Sequence, residues 1–178
     1  MAGGYNIDKK LEQKDTLEMN NNEKVKILVV FSSIGGNTEL VVQKVTQIIK
    51  ESEKTSVDVV RVDSFDTTKP ELLDQYNCLV LASPTYGQGT IESHFSPFLK
   101  AIKSKIKDKN CAVIGLGDNK YYPEYLSESG AILEKYVVDN QGILLVPALR
   151  IGMPPIKFIE KLVPRWVEKL LAGLNVKN

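Results

Sequence analysis

From residue 25 onward, short apolar runs alternate with longer stretches of helical period, and this alternation constrains the fold more than any other feature of the chain. The runs "VKILVVF", "VDVVRV", "CLVLAS", "CAVIGLG" and "GILLVPALRI" read as five strands. "TELVVQKVTQIIKES", "KPELLDQY", "SHFSPFLKAIKSKI", "SESGAILEKYVVDN" and a stretch from about Pro155 to Leu171 read as five helices. Parallel strands need a long crossover between them, usually a helix, so strict alternation predicts a parallel sheet. The expected class is α/β: a doubly wound three-layer sandwich around a five-stranded parallel sheet in the order 2-1-3-4-5. Continuous apolar runs fit strands covered on both faces, and the alternating "VDVVRV" fits an edge. The first helix is expected to bury Leu40, Val41, Val45 and Ile48 or Ile49 on one face. Pro70 opens the second helix, Pro97 fits the first turn of the third, and Pro164 predicts a kink in the last.

With 178 residues, 43% of them hydrophobic, the chain suffices for one domain with a sizeable core. That domain is expected over residues 25–175, preceded by a flexible, polar N-terminal tail at residues 1–24. The tail holds four lysines against five acids, which leaves +2 for the remainder. No apolar run approaches the roughly 18 residues of a membrane span, and the N-terminus lacks the apolar core of a signal peptide, so a cytoplasmic protein without membrane contact is expected. Two cysteines, Cys78 and Cys111, and one histidine, His94, do not make a disulfide framework or a metal cluster. Both cysteines read as buried small hydrophobes and His94 as a capping or surface residue. Lys100, Lys103, Lys105, Lys107 and Lys109 read as a solvated face near a helix end, not a nucleic-acid patch.

In a doubly wound sheet, ligands bind beyond the carboxyl ends of the strands where the strand order reverses. Here that means the loops at residues 32–38, 84–90 and 117–126. "SSIGGNT" between a strand and a helix aims backbone N–H groups and the positive end of a helix dipole at one place, as a phosphate requires. It has no lysine, which excludes the nucleotide triphosphatase loop, and no G-x-G-x-x-G, which counts against a dinucleotide even though Asp63 ends the second strand. Taken alone it is equally a tight turn capped by Asn37 or Thr38. "SPTYGQGT" adds Tyr86 beside Gly87 and Gly89, and "GLGDNKYYPEY" adds Tyr121 and Tyr122. One phosphate loop and two aromatic loops on the same sheet edge suit a phosphorylated planar ring system.

Over residues 25 to 172 these loops resemble those of flavodoxins, which hold flavin mononucleotide (FMN) without a covalent bond. The family's phosphate loop, T/S-x-T-G-x-T, is matched by Ser33, Gly36 and Thr38, with Gly35 where a second hydroxyl usually stands. The resemblance assigns Ser32, Ser33, Ile34, Gly35, Gly36, Asn37 and Thr38 to the phosphate. Pro84, Thr85, Tyr86, Gly87 and Gly89 go to one flavin face, with Tyr86 stacked on the ring and the Gly87 carbonyl able to turn toward flavin N5. Gly117, Asp118, Asn119, Tyr121 and Tyr122 go to the polar edge and the second face, with Tyr121 and Tyr122 rivals for stacking. Lacking a long insertion in the fifth strand, the chain is similar to the short-chain class.

The resemblance implies a low-potential one-electron carrier and not an enzyme, monomeric, passing electrons between redox partner proteins that dock at an acidic rim around the flavin. Asp63, Asp66, Glu92, Asp118, Glu124 and Glu128 form that expected rim, with Lys69 and Lys120 the only bases close by. Two other readings use the same fold: an FMN-dependent quinone or nitro reductase, and a flavin-free interaction domain.

Overall fold

The computed structural model describes residues 23–87, 89–117 and 127–176. Apart from Glu23 and Lys24, the expected tail lies outside the described residues. The strands are β1 (Val25–Phe31), β2 (Thr55–Arg61), β3 (Cys78–Tyr86), β4 (Thr90–Ile91), β5 (Asn110–Gly117), β6 (Ile143–Leu144) and β7 (Leu149–Gly152), and the α-helices are α1 (Asn37–Lys50), α2 (Phe95–Ile102), α3 (Glu128–Asp139) and α4 (Ile159–Gly173). Along the sheet the order is β2-β1-β3-β5, with β6 and β7 both beside β5. Every pairing is parallel except the two-residue hairpin that adds β4 to β3. This is the 2-1-3-4-5 order with its fifth strand in two pieces.

Alternation along β1 explains why its sequence shows no polar side. Ile27, Val29 and Phe31 enter a core with Val41, Val45 and Ile49 of α1 and Val163, Val167 and Leu170 of α4. Leu28 and Val30 enter a second core with Phe95, Phe98 and Ile102 of α2 and Leu133 and Val137 of α3. Each such side chain, once fully buried, contributes roughly 1.5–3 kcal/mol, so both faces must stay apolar. β2 is bonded to β1 alone, the edge position expected from its sequence, and there Asp58, Arg61 and also the apolar Val59 are exposed.

Several elements depart from the sequence expectation. In α1 the buried stripe is Val41, Val42, Val45, Thr46 and Ile49, and Leu40, expected inside, is 38% exposed. The second helix is instead a 3-10 turn, Pro70–Gln75. Asn77 clamps to Lys26 by backbone and side chain, at 2.8 and 2.7 Å, so the chain must already be extended by Tyr76, which leaves only six residues to coil. The third helix ends at Ile102 and continues as a 3-10 turn over Lys103–Lys105, and the last begins at Ile159 after another at Pro155–Lys157 and runs through Pro164. The fifth strand breaks because Cys111 pairs with Leu144 and Ile114 with Leu149, so a three-residue advance on β5 faces five residues opposite. Pro147, without an N–H to offer a ladder, sits in that excess, and its carbonyl accepts the Trp166 Nε1–H at 2.9 Å.

Helix α3 seats directly on β5. A Cβ on Gly115 would lie 2.5 Å from the Gly130 nitrogen and 2.6 Å from its Cα, so the approach requires glycine at 115, whereas a Cβ on Gly130 would come no nearer than 3.5 Å to Gly115 Cα. Cys78 and Cys111 are free and buried, on opposite faces of the sheet, and burial pushes both thiols up, Cys111 to about 12.

Candidate functional site

The end of β1 is held against β3 by the Ser32 N–H, which donates to the Ala82 carbonyl at 3.0 Å. Ser32 is 4% exposed, and its Oγ has no hydrogen-bond partner among the described residues. Gly36, at φ 79°, turns the chain into α1 as its N-cap, with no side-chain cap. The capping expected of Asn37 or Thr38 is replaced by Ser33, whose Oγ accepts the Glu39 N–H at 3.4 Å. The first helical hydrogen bond runs from the Leu40 N–H to the Gly36 carbonyl. No N–H of residues 33–38 has an acceptor among the described residues, which leaves a row of donors at a helix N-terminus.

Facing this row is the end of β3. Tyr86 pairs with Thr90 in the short hairpin, and the Thr90 hydroxyl donates to the Tyr86 carbonyl at 2.9 Å. Gly87 at φ 53° and Gly89 at φ 88° occupy left-handed conformations that a side chain would strain. Tyr86 is 57% exposed, unusual for a large aromatic. Thr85 is braced from α3: its hydroxyl donates to Ser129 Oγ at 3.3 Å and accepts the Ser129 N–H at 3.2 Å, while Ser129 Oγ donates to the Ser83 carbonyl at 2.8 Å.

Between the loops lies a cleft of about 240 Å³ lined by Ser33, Ile34, Gly35, Asn37, Thr38, Pro84, Thr85, Tyr86 and Gly117, all expected at the site, together with Leu116 and Met153, which were not. Ser32, Gly36, Gly87 and Gly89 adjoin it without lining it. Asp118, Asn119, Tyr121 and Tyr122 lie outside the described residues, as do Lys120 and Glu124 of the expected rim. Met153 follows β7, at the carboxyl end of a strand, so the rule that locates ligand loops also covers its position. Among the described lining residues Tyr86 is the one with a titratable side chain, and what the lining presents is chiefly backbone N–H groups and apolar surface.

The described rim differs from the expected one. Arg61, at the end of β2, is a base the sequence reading missed. Its guanidinium donates from Nη2 to the Ser33 carbonyl at 3.3 Å, lies 3.8 Å from Glu39 and 3.7 Å from Asp63, and stands over the Phe31 ring at 5.5 Å. Asp66 is 3.3 Å from Lys69, and the Thr68 hydroxyl and N–H, then Lys69, hold its carboxyl below the usual range. Glu92 is turned inward, its side chain only 11% exposed. Burial alone would raise its carboxyl, but the His94 ring at 2.7 Å, the Ser93 hydroxyl and the His94 N–H together lower it. His94 is exposed, as expected. On the far side of the sheet Lys105 pairs with Asp74, and Lys109 donates to the Leu73 and Tyr76 carbonyls, consistent with a structural basic run.

A buried hydroxyl and a row of N–H groups without partners among the described residues, with a wall of Ile34, Pro84, Tyr86, Leu116 and Met153, suit a phosphate ester joined to a planar apolar ring. Among the described residues no group of histidine, cysteine or carboxylate side chains could hold a metal, and no helix is long and apolar enough to cross a membrane.

The flavodoxin family model matches residues 29–148. "Probable flavodoxin 2" of Bacillus subtilis (strain 168) is 25% identical over 131 residues, covering 73% of this chain and 83% of its own. The crystal structure of oxidised Flavodoxin 2 from Bacillus cereus superposes with a TM-score of 0.68 at 25% identity, over 84% of this chain and 98% of that one. The Fusobacterium nucleatum flavodoxin bound to flavin mononucleotide has the same fold, with a TM-score of 0.71 at 15% identity over 83% and 97% of the two chains.

Proposed function

The chain belongs to the flavodoxin family, and we propose from that premise that it carries single electrons on FMN held in the cleft between residues 32–38 and 84–87. It is an electron-transfer protein, not an enzyme with a substrate of its own. The observation that carries the placement is the set of donors without a partner among the described residues, the N–H groups of residues 33–38 and the buried Ser32 Oγ, facing an exposed Tyr86. When bound, FMN supplies two successive one-electron reductions.

The protein's part is to bind and bias. N–H groups of residues 33–38 would take the phosphate, Tyr86 would cover one ring face, and Leu116 and Met153 would exclude water from the cleft. The Gly87 carbonyl would accept a hydrogen bond from a protonated ring nitrogen, and glycine lets that peptide turn without a Cβ penalty. Asp118, Asn119 and either Tyr121 or Tyr122 complete the proposed site. Acidic side chains nearby disfavour added negative charge and so lower the potential of the second electron.

The partners in this reading are redox proteins with basic faces. Asp63, Asp66 and Glu128 support an acidic docking rim, although Arg61 and Lys69 offset part of it, and association with such partners would fall as salt rises. We further propose a monomeric, cytoplasmic carrier with its domain over residues 25–175.

The test is an absorbance spectrum after incubation with FMN and removal of the excess. Bound flavin with bands shifted from those of free FMN is the expected result. A colourless protein would overturn the proposal.

A further inference from the structure

We infer that Arg61 is a positioning residue for the phosphate cradle and makes the cleft select a phosphorylated flavin over an unphosphorylated one; this rests on the FMN reading above. The residues that would surround the phosphate, 32–38, carry no charge. Two carboxylates stand close to them: Glu39, in the first turn of α1, and Asp63, just beyond β2. A phosphomonoester brings about −1.5 to −2 charges near neutral pH, so both acids oppose it.

Arg61 answers that opposition. The parallel register sets Phe31 and Arg61 side by side at the ends of β1 and β2. From there the guanidinium lies over the Phe31 ring, within 3.8 Å of Glu39 and 3.7 Å of Asp63. One of its N–H groups takes the Ser33 carbonyl at 3.3 Å, while Ser33 Oγ takes the Glu39 N–H. Arg61 thus ties the start of the cradle to β2, and it neutralises the acid that would otherwise repel the ligand at the helix N-terminus. The planar fork of arginine serves a carbonyl and two carboxylates at once, which the point charge of lysine does not.

Binding of FMN and of riboflavin, which lacks the phosphate, would be measured by quenching of flavin fluorescence in the wild type, Arg61→Ala and Arg61→Lys. Arg61 is exposed at a strand end, and circular dichroism checks that the variants fold. Arg61→Ala should weaken FMN about tenfold while riboflavin changes less than about twofold, with Arg61→Lys intermediate; tenfold corresponds to about 1.4 kcal/mol. The FMN loss should shrink at about 0.5 M salt, where screening is within about 4 Å. Adding Glu39→Gln to Arg61→Ala should recover part of it. In the flavin-free protein, the Glu39 amide, which is bonded to Ser33 Oγ, should exchange faster in Arg61→Ala. Equal losses for both flavins, no loss, or equal wild-type affinity for the two would overturn the inference and leave the FMN reading standing. A wild type that binds neither flavin overturns that reading, and the role of Arg61 with it.

Discussion

Replacing Gly115 by alanine tests the seating of α3 on the sheet and, through it, the cleft. The new Cβ would lie 2.5 and 2.6 Å from Gly130 backbone atoms, against ordinary contacts of about 3.5 Å, so α3 must lift by about 1 Å. A shift of that size stretches the 2.8 Å bond from Ser129 Oγ to the Ser83 carbonyl beyond hydrogen-bond range. Overpacking contributes about 1–3 kcal/mol of destabilisation and a lost hydrogen bond about 1 more, so Gly115→Ala should cost about 3 kcal/mol. Urea unfolding of the flavin-free protein measures this without ligand linkage. Gly35→Ala is the control: its Cβ would meet nothing nearer than Asn37 Nδ2 at 4.0 Å, and it should stay within about 0.5 kcal/mol. FMN affinity should fall in Gly115→Ala as well, because Ser129 also braces Thr85. A Gly115→Ala protein as stable as Gly35→Ala would refute the argument that backbone contact fixes this helix.

Tyr86→Ala should lower FMN affinity roughly tenfold or more, since stacking on an aromatic is worth about 1–3 kcal/mol, with little change in the urea midpoint because the ring is already exposed; an unchanged fluorescence titration would remove the stacking role. Gly87→Val strains a residue at φ 53° and should narrow the gap between the two one-electron potentials in a redox titration, and an unaltered gap would sink the role given to its carbonyl. Glu92 has a folded-state carboxyl below its unfolded value, so its contribution is present above about pH 4.3 and is lost as pH falls through the folded value. The stability difference between wild type and Glu92→Gln should therefore be steady near pH 7 and shrink below about pH 4; parallel profiles would exclude the linkage.

Strand positions were legible because three of the strands are covered on both faces, and burial of that kind leaves no room for polar residues. The edge position of β2 was legible from its alternation. Leu40 misled because a helical stripe one residue to either side satisfies the same spacing, and only the packing of α1 against α4 and the sheet chooses between them. Pro70–Gln75 misled because a Pro-opened apolar segment looks helical until the clamp between Asn77 and Lys26 limits its length. That residues 33–35, 37–38 and 84–86 line one cleft was readable because loop chemistry is local in sequence. Arg61, Ser129 and Met153 were not, because each reaches the cleft through a tertiary neighbour: the β1–β2 register, the seating of α3 on Gly115 and the turn after β7.

The interruption at Pro147 also bears on how the protein behaves in concentrated solution. An incoming strand that tried to extend the sheet beyond β6 and β7 would meet pieces of two and four residues, separated by a four-residue gap that includes Pro147, which has no N–H to donate. Open sheet edges template fibrous growth when they are long and flat, and this one is neither. The opposite edge, β2, is seven residues long, and its safeguard is chemical: Asp58 and Arg61 would have to be desolvated by any strand that paired there. One side of the molecule is thus guarded by geometry and the other by charge, so conditions that neutralise carboxylates should expose β2 to edge-to-edge association before the side holding Pro147.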